Sequence, residues 1–232
     1  MRADLAAAGS LAAWCGPAAA PIAPVVAAAF RIPRRLESGA GIAITFDDGP
    51  HAQGTPAVLR ELERAGARAT FFLVGEQVER LPSLAAEIAA AGHEIAIHGH
   101  RHVLLLRRSP RALRADFERA AEVIATATGA RPRLYRPPYG VFSAPALLVV
   151  RRLGWRPLLW SRWGRDWEAR TTSEQISARA TRDLAGGDVV LLHDADHYSS
   201  ADSWRKTAAA LPSILAASAA TGEPFVTASQ ST

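Results

Sequence analysis

Asp47 and Asp48 stand side by side ahead of Gly49-Pro50, at the end of the apolar run 42–46. Two adjacent carboxylates at a strand end point in different directions, so one can hold a cation while the other stays free as a base. The plainer alternative is an acidic pair in a Gly-Pro turn. His98, His100 and His102 fall within five residues. If the backbone turns back after the strand, His98 and His102 can face one ion. With one carboxylate they form a donor set for zinc or a similar divalent metal, with positions left open for water. His100, between them, should point elsewhere. His193 follows the apolar run 189–192. It is either a satisfied core histidine or a proton donor. Arg136, set among prolines, would keep Asp47 ionised and oriented if the two meet. Asp166 would act similarly on His193, raising its pKa.

These groups need a scaffold that brings strand ends together. Strands are expected at 42–46, 69–74, 94–97, 134–136, 155–160 and 188–192, with a seventh at 225–227. Helices are expected between them. One is capped by Thr55, with Pro56 in its first position, and ends at Gly66. Others cover 83–91, Ser109 to Gly129, 143–153 and 173–184. The last starts at Ser203, is kinked or restarted at Pro212, and ends by Gly222. Strand-then-helix alternation in one unbroken series implies a mainly parallel sheet. Open doubly wound sheets and closed barrels share this signature. Polar groups converging from most strand ends favour the barrel, whose active sites lie on that face.

The composition is that of a globular chain: 232 residues, 49% hydrophobic and 21% charged. Disorder and collagen-like structure are excluded. A single cysteine, Cys15, excludes an internal disulfide framework and a Cys-rich zinc module. The net charge is +5, and Lys206 is the only lysine. The arginines are scattered apart from Arg31, Arg34 and Arg35, so no nucleic-acid surface is expected. No obligatory protein partner is evident.

Residues 1–41 form an Ala/Pro-rich N-terminal extension, distinct from the domain at 42–232. The uncharged stretch 5–30 is compatible with a cleavable signal peptide, with Ala27-Ala28-Ala29 as its cleavage-type site, or with a membrane anchor. Its prolines and glycines, and the weak apolarity of alanine, argue against a spanning helix. Otherwise it is a loosely packed extension. A cytoplasmic location is favoured over secretion or anchoring through residues 1–30.

Five motifs make the chain similar to the polysaccharide deacetylases with a NodB-type catalytic domain, over about residues 42–227. They are Thr45-Phe46-Asp47-Asp48-Gly49-Pro50, His98-x-x-x-His102, Arg136-Pro137-Pro138-Tyr139-Gly140, Asp166-Trp167 and Leu191-Leu192-His193. Gly99 stands where the family usually has Ser or Thr, and Trp163 where it has an acidic residue. The resemblance implies an α/β fold, a distorted (β/α)7 barrel of mainly parallel strands, and metal-dependent removal of acetyl groups from acetylated sugars, glycosides or polysaccharides. By position, Asp48, His98 and His102 would hold one divalent metal, zinc first, with cobalt, nickel or manganese as alternatives. Asp47 would be the general base and His193 the general acid. Arg136 would set Asp47, and Asp166 would tune His193. The backbone N–H of Tyr139 would help stabilise the oxyanion, and Trp167 and Leu192 would line the acetyl pocket. The partner implied is an acetylated saccharide or glycoside. Rival readings are a non-haem iron oxygenase, an inactive saccharide-binding relative, and hydrolysis of a non-acetyl C–N bond on a small metabolite.

Overall fold

The computed structural model describes residues 14–36 and 39–230. Seven short strands form one sheet: β1 (Ala43–Asp47), β2 (Ala69–Leu73), β3 (Glu94–Ile97), β4 (Leu134–Tyr135), β5 (Arg156–Pro157), β6 (Arg162–Trp163) and β7 (Val189–His193). Their order is β5-β4-β3-β2-β1-β7-β6, and every neighbouring pair is parallel. The helices are α1 (Pro24–Ala29), α2 (Gly54–Arg64), α3 (Gly75–Arg80), α4 (Pro82–Ala90), α5 (Pro110–Thr128), α6 (Ala144–Arg152), α7 (Ser173–Ala180) and α8 (Ser203–Ala220). The sheet curls into a distorted (β/α)7 barrel. β1 and β2 are buried along their whole length, so they read as continuous apolar runs rather than alternating ones.

Local chemistry explains most element ends. Ser109 caps α5 by accepting from the Ala112 N–H, and Gly129 ends it in the left-handed region. Thr172 and Gln175 form a reciprocal capping box at the start of α7. Ser143 caps α6.

The structure departs from the sequence expectations in several elements. Thr55 lies inside α2 rather than capping it, because its hydroxyl is engaged elsewhere. It accepts from the His51 N–H at 2.8 Å and donates to the Asp194 carboxylate. A short helix, α3, precedes the expected one at 83–91. The expected strand at 155–160 pairs only at 156–157. Beyond that the Leu158 and Leu159 carbonyls accept from the Arg136 guanidinium, which leaves room for the unexpected β6. Helix α8 runs through Pro212 without restarting, anchored by buried Leu211, Ile214 and Leu215. At 225–227 there is only a single bridge, Phe225 to Ile42.

The expected loose packing of the extension does not hold for residues 14–36. Ala20, Ala27, Ile32 and Leu36 are buried in the same core as the sheet. The segment bonds to the connection between β5 and β6 and to the residues that lead into β7. Leu159 N–H donates to Pro33 O at 2.9 Å, and Leu36 N–H to Gly187 O at 2.8 Å. Arg34 Nε donates to Trp160 O at 3.0 Å. Residues 1–13, where a leader would begin, lie outside the described residues. Among the described residues, no helix is long and apolar enough to cross a membrane.

Candidate active site

The C-terminal ends of the strands share one face, where a cavity of about 320 Å3 opens. Asp47, Asp48, His98, His102, Tyr139, Trp167 and His193 all line it.

Asp48 and the two histidines are held as a cluster. β1 ends at Asp47, and Asp48 takes a left-handed conformation (φ 78°) that turns its side chain away from its neighbour's course. An Asp in that region is a local strain typical of functional sites. β3 ends at Ile97, and Gly99 (φ 88°) makes the turn that brings residue 102 back beside residue 98. Glycine takes this conformation without the strain a side chain would bring. The Asp48 Oδ1 lies 3.4 Å from His98 Nε2 and 3.3 Å from His102 Nε2. One donor atom from each residue fits within 4.8 Å of the others.

The donor set fits a divalent cation. His98 Nδ1 lies 2.9 Å from the Arg136 carbonyl, which can only accept, so the ring proton sits there and Nε2 keeps a free lone pair. Asp48 Oδ1 is buried without a hydrogen-bond partner. Such an orphaned oxygen beside two imidazoles is what a cation satisfies. Burial pushes the Asp48 carboxyl up, but the adjacent His98 and the neighbouring His193 and His102 imidazoles outweigh it and bring its pKa down to about 2. Burial brings His102 down to about 4 despite Asp48, so it is neutral and able to ligate at neutral pH.

Asp47 is positioned by a fully buried arginine. Arg136 Nη1 donates to Asp47 Oδ1 at 2.7 Å and to Thr45 Oγ1 at 2.9 Å. Its other nitrogens donate to the carbonyls of Leu158 and Leu159. The guanidinium also stacks on Phe72, 3.9 Å from the ring centre. Every edge of the fork is thus engaged, and the second Asp47 oxygen, Oδ2, is left facing His98 Nε2 at 3.8 Å. Asp166 holds His193 twice, accepting from its backbone N–H at 2.7 Å and contacting Nδ1 at 2.9 Å. Thr207 donates to the same carboxylate at 2.8 Å. Burial disfavours the imidazolium, but Asp166, helped by Asp48 and Asp47, raises the His193 pKa to about 10.

One sequence expectation needs revision. Leu192 is fully buried and does not line the cavity; Leu191 does. Side chains alternate along β7, so the residue two before His193 shares its face, and the adjacent one does not. Among the tryptophans, Trp160, Trp163 and Trp167 line the cavity, whereas Trp155 packs on Tyr135 and Trp204 beside His51. His100 bonds Asp116 through its backbone N–H and stays out of the cavity wall. His51 Nδ1 accepts from the Gly54 N–H at 2.9 Å, and its Nε2 meets Asp196 at 3.3 Å.

Sequence reading missed Tyr198. Its ring stacks on His102, with centroids 4.1 Å apart and planes at 9°. Its hydroxyl donates to Glu76 at 2.7 Å and accepts from Gln77 at 2.9 Å, both on α3. The position of an aromatic in the polar loop after His193 was the only available signal. Tyr139 itself is exposed and left-handed (φ 59°), edge-on to His102.

Fold and site together define a (β/α)7 barrel protein with an Asp-His-His cluster flanked by a carboxylate and an imidazole at the strand ends. The polysaccharide deacetylase family model matches residues 37–158. The chain is 36% identical over 199 residues to a peptidoglycan-N-acetylglucosamine deacetylase of Bacillus cereus, covering 82% of this chain and 86% of that protein. It is 34% identical over 172 residues to a chitooligosaccharide deacetylase of Azorhizobium caulinodans, covering 74% and 81%. Among solved structures, a family 4 carbohydrate esterase from Streptomyces lividans in complex with acetate superposes with a TM-score of 0.71 at 31% identity, covering 79% and 90%. The chain belongs to the polysaccharide deacetylase family.

Proposed function

We propose that this protein is a metal-dependent deacetylase that hydrolyses the acetamide of an N-acetylated sugar, glycoside or polysaccharide and releases acetate. The observation that carries the reading is the meeting of five groups in one cavity: Asp48, His98 and His102 as a cluster, with Asp47 and His193 beside it. Similarity to deacetylases of peptidoglycan and of chito-oligosaccharides supports a saccharide substrate.

Asp48, His98 and His102 would hold one divalent ion, with zinc the first candidate for this nitrogen and oxygen donor set. When bound, such an ion lowers the pKa of water and polarises a carbonyl. Asp47, oriented by the Arg136 guanidinium, takes the proton of the attacking water. The Tyr139 N–H donates to the oxyanion that develops on the acetyl oxygen. His193, protonated at neutral pH, hands its Nε2 proton to the leaving nitrogen while Asp166 holds Nδ1. Trp167 packs edge-on to His193, 5.5 Å between centroids, and with Leu191 gives the acetyl methyl an apolar wall.

Acetate release from N-acetylated chito-oligosaccharides and peptidoglycan fragments tests the reading. Stoichiometric acetate without oxygen consumption is expected. Saccharide binding without any acetate, or turnover that consumes oxygen, would contradict it.

A further inference from the structure

A second cavity, of about 400 Å3, adjoins the first. It is lined by Ser161, Arg162, Trp163, Arg165, Arg179 and Arg182. Trp163 is the shared wall, because it lines both spaces. Within the catalytic cavity its ring packs on Trp160 and Trp167, with centroids 5.6 and 5.4 Å away. The Arg165 guanidinium lies 5.6 Å from its ring centre.

The charge here is not balanced. Glu168 answers both Arg165, at 3.3 Å, and Arg179, at 3.4 Å. Buried Asp188 is shared by Arg162 and Arg35. Arg182 is exposed and has no acidic partner among the described residues. Four guanidinium groups thus share two carboxylates, and a fifth has none among the described residues. Asp183, the remaining acid of this stretch, contributes its backbone carbonyl to Arg162. Arg165 and Arg179, 49% and 40% exposed, both line the cavity and keep part of the guanidinium open to solvent. A concave space of this size, with an aromatic wall and surplus arginine forks, suits a ring that carries a carboxylate.

We propose that this cavity is an anion-binding subsite for a carboxylate-bearing sugar unit of the same glycan whose N-acetylated unit occupies the catalytic cavity. The proposal rests on the deacetylase reading and narrows its substrate to an acidic glycan. Trp163 offers the stacking face between the two units, and Arg179 and Arg182 take the carboxylate.

The test uses the metal-loaded full chain and two matched oligosaccharides of alternating N-acetylglucosamine and lactyl-ether units, one with free carboxylates and one with carboxamides. The acidic form is expected to show a kcat/KM about tenfold higher at low salt, carried by KM. The double variant Arg179→Gln/Arg182→Gln should bring that ratio to within twofold of one, as should 0.5 M NaCl. A wild-type ratio near one, or a ratio that the double variant preserves, overturns the proposal. Calorimetric titration of both glycans into Asp47→Asn reads the subsite without turnover. A tenfold tighter Kd for the acidic glycan supports the subsite even if no acetate is released. Equal Kd values overturn it even if acetate release is normal.

Discussion

Asp47 is held by a guanidinium that spends its remaining donors on Thr45 and two carbonyls, so its orientation is set before any substrate arrives. Asp47→Asn keeps the shape and removes the base. Acetate release should fall at least about a thousandfold while metal content, read by mass spectrometry, stays at the wild-type value. Arg136 is fully buried, so Arg136→Leu leaves the Asp47 carboxylate and two carbonyls unanswered. A loss of about 3 kcal/mol in denaturant unfolding is expected. At His193 the sign runs upward. Its folded pKa, about 10, lies above the ordinary 6.5 because Asp166 outweighs burial. The stability this pair contributes is therefore complete below about pH 6.5 and is lost as pH rises toward 10. Asp166→Asn should move the basic limb of the kcat/KM profile down by at least one pH unit, and an unmoved limb would detach Asp166 from the acid.

Elements differ in how legible they were. Asp47, Asp48, His98, His102, Arg136 and His193 were readable because each stands at or just beyond the end of a short strand, and the polar turn residues themselves mark the strand ends. β6 was not readable: two residues, Arg162 and Trp163, carry no periodicity, and their strand exists only because they pair with Val190 and Leu191. The placing of Leu192 in the acetyl pocket failed for a geometric reason, since the resemblance alone does not say which face a strand turns inward. The 138–140 turn is a place where element geometry can be tested. Gly140 has φ 71°, and a Cβ there would sit 2.4 Å from the Trp160 ring. Gly140→Ala should cost about 2 kcal/mol and reduce turnover by displacing the cavity wall, measured by thermal unfolding and acetate release.

At the scale of the whole molecule, the curled sheet leaves its two edge strands unpaired with each other, and residues 33–36 bond both to the β5–β6 connection and to the residues that lead into β7. Composition alone made this segment look like a loose extension, because alanine and proline carry little apolar signal and the long-range bonds that hold it, from backbone and arginine side chains alike, have partners remote in sequence. Deleting residues 1–36 should therefore lower stability by at least about 3 kcal/mol, from the loss of buried Ile32 and Leu36 alone. Unchanged denaturant unfolding would show that the barrel closes without it. The convergence of strand ends from across the sheet is what turns separate residues into one site, and its central requirement is a cation held by Asp48, His98 and His102. The most direct measurement strips the protein with chelator and titrates zinc back, following bound metal by native mass spectrometry alongside acetate release from an N-acetylated chito-oligosaccharide. Activity should return with the first equivalent and saturate at one ion per chain, and His102→Ala should fail in both respects. Full acetate release from the metal-free protein, or wild-type zinc affinity in His102→Ala, would contradict the account.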